Sequence, residues 1–154
     1  DSLQAVKRCV EAFNSMGVGL VLHAGDYVAP FTCSAYRDLK CRLVGVFGNV
    51  DGDRFLLRER FSGMGFKVEG EFEELEAGGA RIALLHGVYP QLVEALALSG
   101  RYSLVVHGHT HRRRAEEVGG ALVVYPGEAC GYIYGSRSIA VVDTATLKVE
   151  FMEL

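Results

Sequence analysis

The sequence contains no tryptophan, only three prolines and no long apolar run. Hydrophobic residues make up 49% of the 154-residue chain and charged residues 23%, a balance typical of globular domains that excludes general disorder. No apolar segment approaches the roughly 20 residues needed to cross a bilayer, and no signal peptide opens the chain. We therefore expect no membrane association and a cytoplasmic location.

An excess of basic charge is also absent. Sixteen Lys and Arg residues against nineteen Asp and Glu residues give a net charge of −3, which excludes nucleic-acid binding through bulk positive charge. The four cysteines, Cys9, Cys33, Cys41 and Cys130, form no CxxC pair. Their irregular spacing in an apolar-rich chain favours free thiols in a reducing compartment over a disulfide framework.

The first half of the chain alternates helical and strand patterns. We predict a helix capped by Asp1 or Ser2 and running to Met16, a strand at 18–23, a helix at 30–39, a strand at 42–47 and a helix at 54–64. This order is typical of a parallel α/β sheet.

The second half is richer in strands and in Gly-containing turns. We predict strands at 66–69, 71–76 and 80–85, a helix at 89–99, and strands at 102–106, 113–118, 121–125, 138–143 and 147–154. The length fits one domain covering 1–154. Together the patterns predict a single α/β domain with two β layers and helices outside them.

Polar side chains able to bind a metal follow the predicted strands repeatedly. They are Asp26, Asn49, His86, His109 and His111. In open α/β sheets ligands bind at the carboxyl ends of strands, so these donors are expected to converge. Nitrogen and oxygen donors without thiolate suit Mn, Fe, Zn, Ni or Co better than Ca.

Each of these residues also has an ordinary structural interpretation. Asp26 and Asn49 on their own are typical turn residues, and His86 on its own is typical of a hydrogen-bonded strand end. The pair His109 and His111 at a glycine-containing strand exit points most directly to a metal or to catalysis. His107 is predicted to lie in the core or to support a ligand, and His23 to orient the following Gly-Asp loop by hydrogen bonding.

The order of these motifs resembles one family. The motifs are Gly25-Asp26, Gly48-Asn49-x-Asp51, His86-Gly87 and Gly108-His109-x-His111, with a Pro-Gly-Glu-Ala-Cys-Gly loop at 126–131. They are similar to those of the calcineurin-like metallophosphoesterases, in particular the small prokaryotic phosphodiesterases, over the whole of 1–154. The resemblance implies a four-layer α-β-β-α sandwich of two mixed β-sheets with outer helices.

The resemblance also implies roles for the five donors. Asp26 would bridge two divalent metal ions, Asn49, His86 and His109 would complete the second site, and His111 would belong to the first. Manganese is the expected metal, with Ni, Fe, Zn, Co or Mg as alternatives. The implied substrate is a phosphodiester, hydrolysed by in-line attack of a hydroxide that bridges the two metals.

Two departures from the family pattern affect these expectations. Val50 stands where the family often has a histidine that protonates the leaving group, a contribution typically worth ~10²–10⁴-fold. The family's opening strand and Asp-x-His motif are not found in the sequence, which starts at Asp1. We therefore expect an N-terminally truncated domain that holds one metal ion or none, with doubtful activity.

Two other functions are also compatible with these motifs. One rival is a catalytically degenerate interaction scaffold, because the same family includes a scaffold subunit of the retromer coat. The other is a single-zinc hydrolase of unrelated fold, which Asn49 as a ligand disfavours.

Arg112, Arg113 and Arg114 are candidates for binding the substrate phosphate, or they simply form a solvated face. Tyr132 and Tyr134 are candidates for stacking on an aryl or base group, but packing in the core or in a homodimer is the preferred expectation.

Overall fold

Residues 2–154 are described by a computed structural model. The helical elements are α1 Leu3–Met16, a 3-10 helix Pro30–Tyr36, α2 Arg54–Gly63 and α3 Pro90–Leu98. The strands are β1 Leu20–His23, β2 Arg42–Gly45, β3 Lys67–Val68, β4 Phe72–Ala77, β5 Ala80–Leu85, β6 Leu104–His107, β7 Arg113–Val118, β8 Ala121–Pro126, β9 Ser138–Asp143 and β10 Lys148–Glu153. Asp1, one of the two predicted caps of α1, lies outside the described residues.

Side-chain caps explain where two helices begin. Ser2 Oγ accepts a hydrogen bond of 3.3 Å from Ala5 N at the start of α1, and α1 ends at Gly17, which has a left-handed φ of 65°. Asp53 Oδ1 accepts from Leu56 N at 2.9 Å and caps α2 in the same way. These short-range contacts match the boundaries expected from the sequence.

The segment after Pro30 forms a shorter and tighter helix than predicted. It is a 3-10 helix that ends at Tyr36, whereas the sequence pattern predicted a helix over 30–39. Thr32 Oγ1 donates to Tyr27 O at 3.0 Å and Ser34 Oγ donates to Phe31 O at 2.8 Å. Such side-chain bonds to nearby carbonyls compete with the α-helical ladder, which favours the tighter turn.

The strands of residues 2–154 form three hydrogen-bonded sheets. β1, β2 and β3 form a parallel sheet, β4-β5-β6-β8-β7 a mixed sheet, and β9 and β10 an antiparallel hairpin. The predicted α/β class is confirmed. Parallel and antiparallel strand pairs occur together in the five-stranded sheet, whereas the three-stranded sheet is parallel throughout. The parallel register pairs His23 with Gly45 and Leu85 with His107, so the strands that precede the candidate donors end level with their neighbours.

Three apolar clusters hold the layers together. Side chains of β2, β5 and β6, including Val44, Leu84 and Leu104, pack between the sheets, and residues of the β9–β10 hairpin join them. A second cluster joins α1, the 3-10 helix and α2 to the outer face of the parallel sheet. A third joins α3 to the mixed sheet. Among residues 2–154, no helix is both long enough and apolar enough to cross a membrane.

Candidate metal centre

Four of the five predicted donors meet where strands of the two larger sheets end. His86 Nε2 lies 2.8 Å from Asn49 Oδ1 and 3.4 Å from Asp26 Oδ2. His109 Nδ1 lies 3.0 Å from Asn49 Oδ1 and 3.2 Å from His86 Nε2. We call these four side chains the donor cluster. His111 is not a member of it.

The hydrogen positions in the donor cluster can be worked out from His86. Its Nδ1 lies 2.7 Å from the carbonyl oxygen of Ala24, which can only accept, so Nδ1 carries the hydrogen. In the neutral ring Nε2 then presents a lone pair. That lone pair faces the amide oxygen of Asn49 and the carboxylate of Asp26, which are also acceptors. A divalent cation placed among these acceptors would satisfy all three of them.

The spacing of the donor cluster fits one metal ion. Ligands about 2.1 Å from a metal are about 3.0 Å apart at adjacent octahedral positions and about 3.4 Å apart at tetrahedral positions. The four measured separations run from 2.8 to 3.4 Å. Among residues 2–154, no group of three His, Cys, Asp or Glu side chains could hold a metal by itself. The site therefore depends on the Asn49 oxygen, which contacts both histidines.

Backbone strain is concentrated in the loops that carry the donors. Asp26, Val28, His109 and His111 all have left-handed φ values, of 65°, 73°, 56° and 58°. Residues other than glycine adopt this region at a cost of about 1–3 kcal/mol each, and such residues cluster at functional sites. The strain at Val28 is notable because its β-branched side chain disfavours this conformation.

Two glycines allow the loops after β1 and β2 to touch. A Cβ atom on Gly25 would lie 2.6 Å from Gly48 N and 3.0 Å from His86 Nδ1. A Cβ atom on Gly48 would overlap the Asp26 carboxylate. Any larger residue at either position would push these loops apart, so the Gly-Asp and Gly-Asn motifs are required by the close approach of the two backbones.

Buried Asp51 fixes the strained loop that carries Asp26. Its carboxylate accepts hydrogen bonds from Gly48 N at 2.7 Å, Val28 N at 2.8 Å and Asp26 N at 3.1 Å. Through these backbone N–H groups it joins the loops after β1 and β2. Asp51 therefore braces both its own turn and the neighbouring loop.

His111 contacts a residue that sequence analysis did not single out. Its Nδ1 donates to buried Glu128 Oε2 at 3.1 Å. Glu128 also accepts from Tyr134 N at 2.7 Å and Ile133 N at 3.1 Å. Burial raises the pKa of Glu128, but these three donors outweigh it and lower the pKa below its ordinary value. The motif loop at 126–131 contains Glu128, but the motif alone does not indicate a role for this glutamate.

One cavity places His111 beside the donor cluster although their side chains do not touch. It has a volume of about 220 Å³, and its lining includes Asp26, His86, His109, His111 and Glu128. Because Glu128 holds the hydrogen on His111 Nδ1, the other ring nitrogen presents a lone pair. His111 therefore keeps one ring nitrogen available for a ligand in this cavity.

The other two histidines are neutral parts of the structure. His23 Nδ1 accepts from Gly25 N at 3.1 Å and its ring stacks on Tyr27 at a centroid distance of 3.9 Å, in agreement with its predicted role in orienting the loop. Burial lowers the pKa of His23 to about 4. His107 is buried with no hydrogen-bond partner for either ring nitrogen, and burial lowers its pKa to about 4.

The basic and aromatic surface residues lie outside the donor cluster. Arg113 pairs with Glu153 and Arg114 with Glu116, while the guanidinium of Arg112 lies over the Tyr134 ring. Tyr132 and Tyr134 are exposed, so their expected core packing is wrong. Both lie in the loop after Glu128, where the chain bends outward around the buried carboxylate.

The fold and the site define the class of protein. The chain matches the family model of the calcineurin-like phosphoesterase superfamily domain over residues 1–147. It therefore belongs to that superfamily, which confirms the family predicted from its motifs. Membership implies divalent metal cofactors, in agreement with the donor cluster.

Individual relatives narrow the comparison. The chain is 34% identical to phosphodiesterase MJ0936 of Methanocaldococcus jannaschii, over all of this chain and 92% of that protein. A solved structure described as a novel archaeal phosphodiesterase superposes with a TM-score of 0.96 at 32% identity, covering 100% of this chain and 94% of the other. Vps29 of Entamoeba histolytica, complexed with Zn²⁺, has a TM-score of 0.68 at 19% identity, covering 96% and 88% of the two chains. This more distant likeness shows the fold alone.

Proposed function

We propose that residues 1–154 form one metallophosphoesterase domain that hydrolyses phosphodiesters with the help of a divalent metal held by the donor cluster. The observation that carries the proposal is the set of acceptors of Asp26, Asn49 and His86 directed at one another. The superfamily and the phosphodiesterase relative support the reaction type. Water supplies the oxygen that bonds to phosphorus as the bond from phosphorus to the ester oxygen breaks, and the alcohol leaves as an anion that takes a proton from solvent.

The side chains divide the work of binding the metal. His86 is oriented by the Ala24 carbonyl, and Asp26 provides the negative charge that offsets the cation. Asn49 contributes an oxygen without adding charge that would repel an anionic substrate. When bound, the metal acts as a Lewis acid on the phosphoryl group and acidifies water. Manganese is the proposed metal because mixed nitrogen and oxygen donors suit it, with Fe, Zn, Ni, Co and Mg as alternatives.

The number of metal ions follows from the donors present. Four of the five predicted donors lie together, whereas His111, the fifth, lines the same cavity apart from them. Two protein ligands rarely hold a divalent ion tightly. We therefore propose one tightly bound ion in this chain, and a two-metal centre only where further ligands are supplied.

The leaving group receives no proton from the loop after β2. Val50 is exposed there and contributes its backbone N–H to Asp26 Oδ1 at 3.3 Å. Esters whose alcohols leave readily as anions are therefore the proposed substrates. The four cysteines are free thiols, which supports a reducing, cytoplasmic setting.

Hydrolysis of bis(p-nitrophenyl) phosphate with added Mn²⁺ tests the function. We expect turnover that a chelator abolishes and Mn²⁺ restores. Asn49→Ala should lower the rate about 100-fold or more, because it removes the oxygen shared by both histidines. Asn14→Ala is the matched control, since Asn14 makes two backbone hydrogen bonds outside the donor cluster. Its rate should be unchanged.

Two outcomes would contradict the proposal. Equal rates for the two asparagine variants would show that the donor cluster is not the reaction centre. Absence of turnover with Mn²⁺, Fe²⁺, Zn²⁺, Ni²⁺, Co²⁺ and Mg²⁺ would favour the interaction scaffold considered from the sequence.

A further inference from the structure

A groove beside the donor cluster is not used by the reaction described above. It has a volume of about 780 Å³, and one wall is a face of α3 formed by Tyr89, Leu92, Ala95 and Leu96. Phe47 and Phe72 lie among the residues opposite. We call it the α3 groove. Its size is within the range of roughly 300–1,000 Å³ found for small-molecule sites.

The α3 groove is continuous with the candidate metal centre. Asn49 and His86, two members of the donor cluster, line it directly. A phosphoryl group held at the donor cluster would therefore have one of its ester substituents at the entrance to the groove. This continuity points to the substrate itself as the occupant.

Exposed apolar side chains form the α3 wall. Tyr89 is 66% exposed and Leu92 is 56% exposed. They are three residues apart on the helix, so they share one face with Leu96. Tyr89 sits at the N-cap of α3 without a capping side-chain bond, so its ring is not needed to begin the helix. Exposed aromatic and aliphatic side chains beside a polar centre are typical of a binding surface.

The charges in the α3 groove neutralise each other. Arg54 Nη1 pairs with Glu71 Oε1 at 2.6 Å, and Arg54 Nη2 donates to the Gly48 carbonyl at 2.8 Å. Its guanidinium also lies over the Phe47 ring at 5.5 Å. Among the described residues that line the groove, Arg54 is the one Lys or Arg, and its guanidinium is already engaged, so a second phosphate would lack a cationic partner there. It suits an uncharged, flat substituent that packs against Tyr89 and Leu92.

We propose that the α3 groove binds an uncharged aromatic ester substituent, so that the substrates are phosphodiesters carrying at least one such ring. Tyr89 and Leu92 are then specificity-determining residues. This inference rests on the proposed phosphodiesterase function, because the donor cluster must hold the phosphoryl group that leads the ring into the groove.

Binding of two phosphate monoesters tests the α3 groove without requiring turnover. Dissociation constants of phenyl phosphate and methyl phosphate are measured by isothermal titration calorimetry in the presence of Mn²⁺. We expect the wild-type protein to bind phenyl phosphate about tenfold more tightly, as burial of one ring allows. Tyr89→Ala and Leu92→Ala should each reduce this preference and leave methyl phosphate binding unchanged.

Phe55→Ala is the matched control. Phe55 is an aromatic residue of α2 that is 69% exposed and lies outside the α3 groove. This variant should keep the wild-type preference. Equal binding of the two monoesters by the wild-type protein, or binding of neither, would overturn the proposal. The proposal would also be overturned if the wild-type protein shows no preference for phenyl phosphate and forms a dimer that the Tyr89→Ala substitution dissociates.

The groove proposal and the proposed function fail in different ways. Hydrolysis of bis(p-nitrophenyl) phosphate without a preference for phenyl phosphate would refute the groove and leave the phosphodiesterase function standing. A preference that depends on Tyr89, in a protein that hydrolyses no diester, would support the groove and refute the proposed reaction.

Discussion

Replacing Asp51 with alanine should destabilise the protein far more than a typical loop substitution. The buried carboxylate accepts from three backbone N–H groups, at 2.7, 2.8 and 3.1 Å. Two of those groups belong to Asp26 and Val28, which are held in the left-handed region. Asp51→Ala therefore removes the contacts that hold this strain in place.

The magnitude can be worked from the burial of the three donors. The Gly48 N–H is buried and would cost about 2 kcal/mol if left without a partner. The Val28 and Asp26 N–H groups are part-buried and partly reachable by water, so about 1 kcal/mol each is reasonable. The expected loss in the free energy of unfolding is about 4 kcal/mol, a large part of the roughly 5–15 kcal/mol typical of a domain.

Urea unfolding of Asp51→Ala and Asp53→Ala provides the assay. Asp53 is two residues away, exposed, and accepts one bond from Leu56 N as the cap of α2, so its loss should cost about 1 kcal/mol. With an m-value of about 2 kcal/mol/M, the midpoints should fall by about 2 M and 0.5 M. Equal shifts for the two variants would refute the reasoning.

A second variant, Asp51→Asn, provides a test even if Asp51→Ala does not fold. Asp51→Asn keeps the shape of the side chain but replaces one acceptor oxygen with a donor group. If the remaining oxygen faces Gly48 N and Asp26 N, two hydrogen bonds are preserved. The NH2 group of the amide then faces the Val28 N–H, which loses its acceptor. The expected loss is intermediate, about 2 kcal/mol, and a loss larger than that of Asp51→Ala would contradict the account.

Further expectations concern metal and pH. Asp26→Ala should weaken Mn²⁺ binding by tenfold or more in calorimetry. His111→Ala should leave binding of the first equivalent of Mn²⁺ unchanged, because His111 is outside the donor cluster. Equal weakening by the two substitutions would contradict this. Elemental analysis should find about one metal ion per 154-residue chain, and two would show that other groups supply ligands. Removing the metal should lower the unfolding temperature, with about 2.7 kcal/mol lost if the metal had been present at a hundred times its Kd. Because the pKa of His23 is about 4 in the folded chain, well below its value in the unfolded chain, His23 by itself should lower the free energy of unfolding by about 2 kcal/mol as the pH falls from 7 to 5. His23→Asn, whose oxygen can still accept from Gly25 N, should remove that part of the slope.

Several features could be predicted because their signals are local. The caps at Ser2 and Asp53 and the left-handed end of α1 at Gly17 depend on contacts within a few residues. The alternation of helical and strand patterns gave the α/β class for the same reason. The donor types at the strand ends and the order of the motifs were sufficient to identify the superfamily.

The selection of donors within the site depended on long-range packing. His86 is oriented by Ala24, 62 residues earlier, and meets Asn49 across 37 residues. The resemblance assigned His111 to a separate first metal site, and it did not predict that Glu128, 17 residues later, binds its Nδ1. A pattern in the sequence gives the type and position of a side chain, whereas the partner of each ring nitrogen depends on how separate loops meet.

The sequence by itself determined the α/β class, the Ser2 cap of α1, the superfamily and the candidate metal-binding residues. Only the tertiary structure decided that Asp51 joins two loops, that Glu128 is buried against His111, and that the segment after Pro30 is a 3-10 helix. It also brought the exposed face of α3 beside Asn49 and His86. The physical reason is that periodicity and capping act over a few residues, while the site is built from strand ends whose distances are fixed by the packing of the sheets.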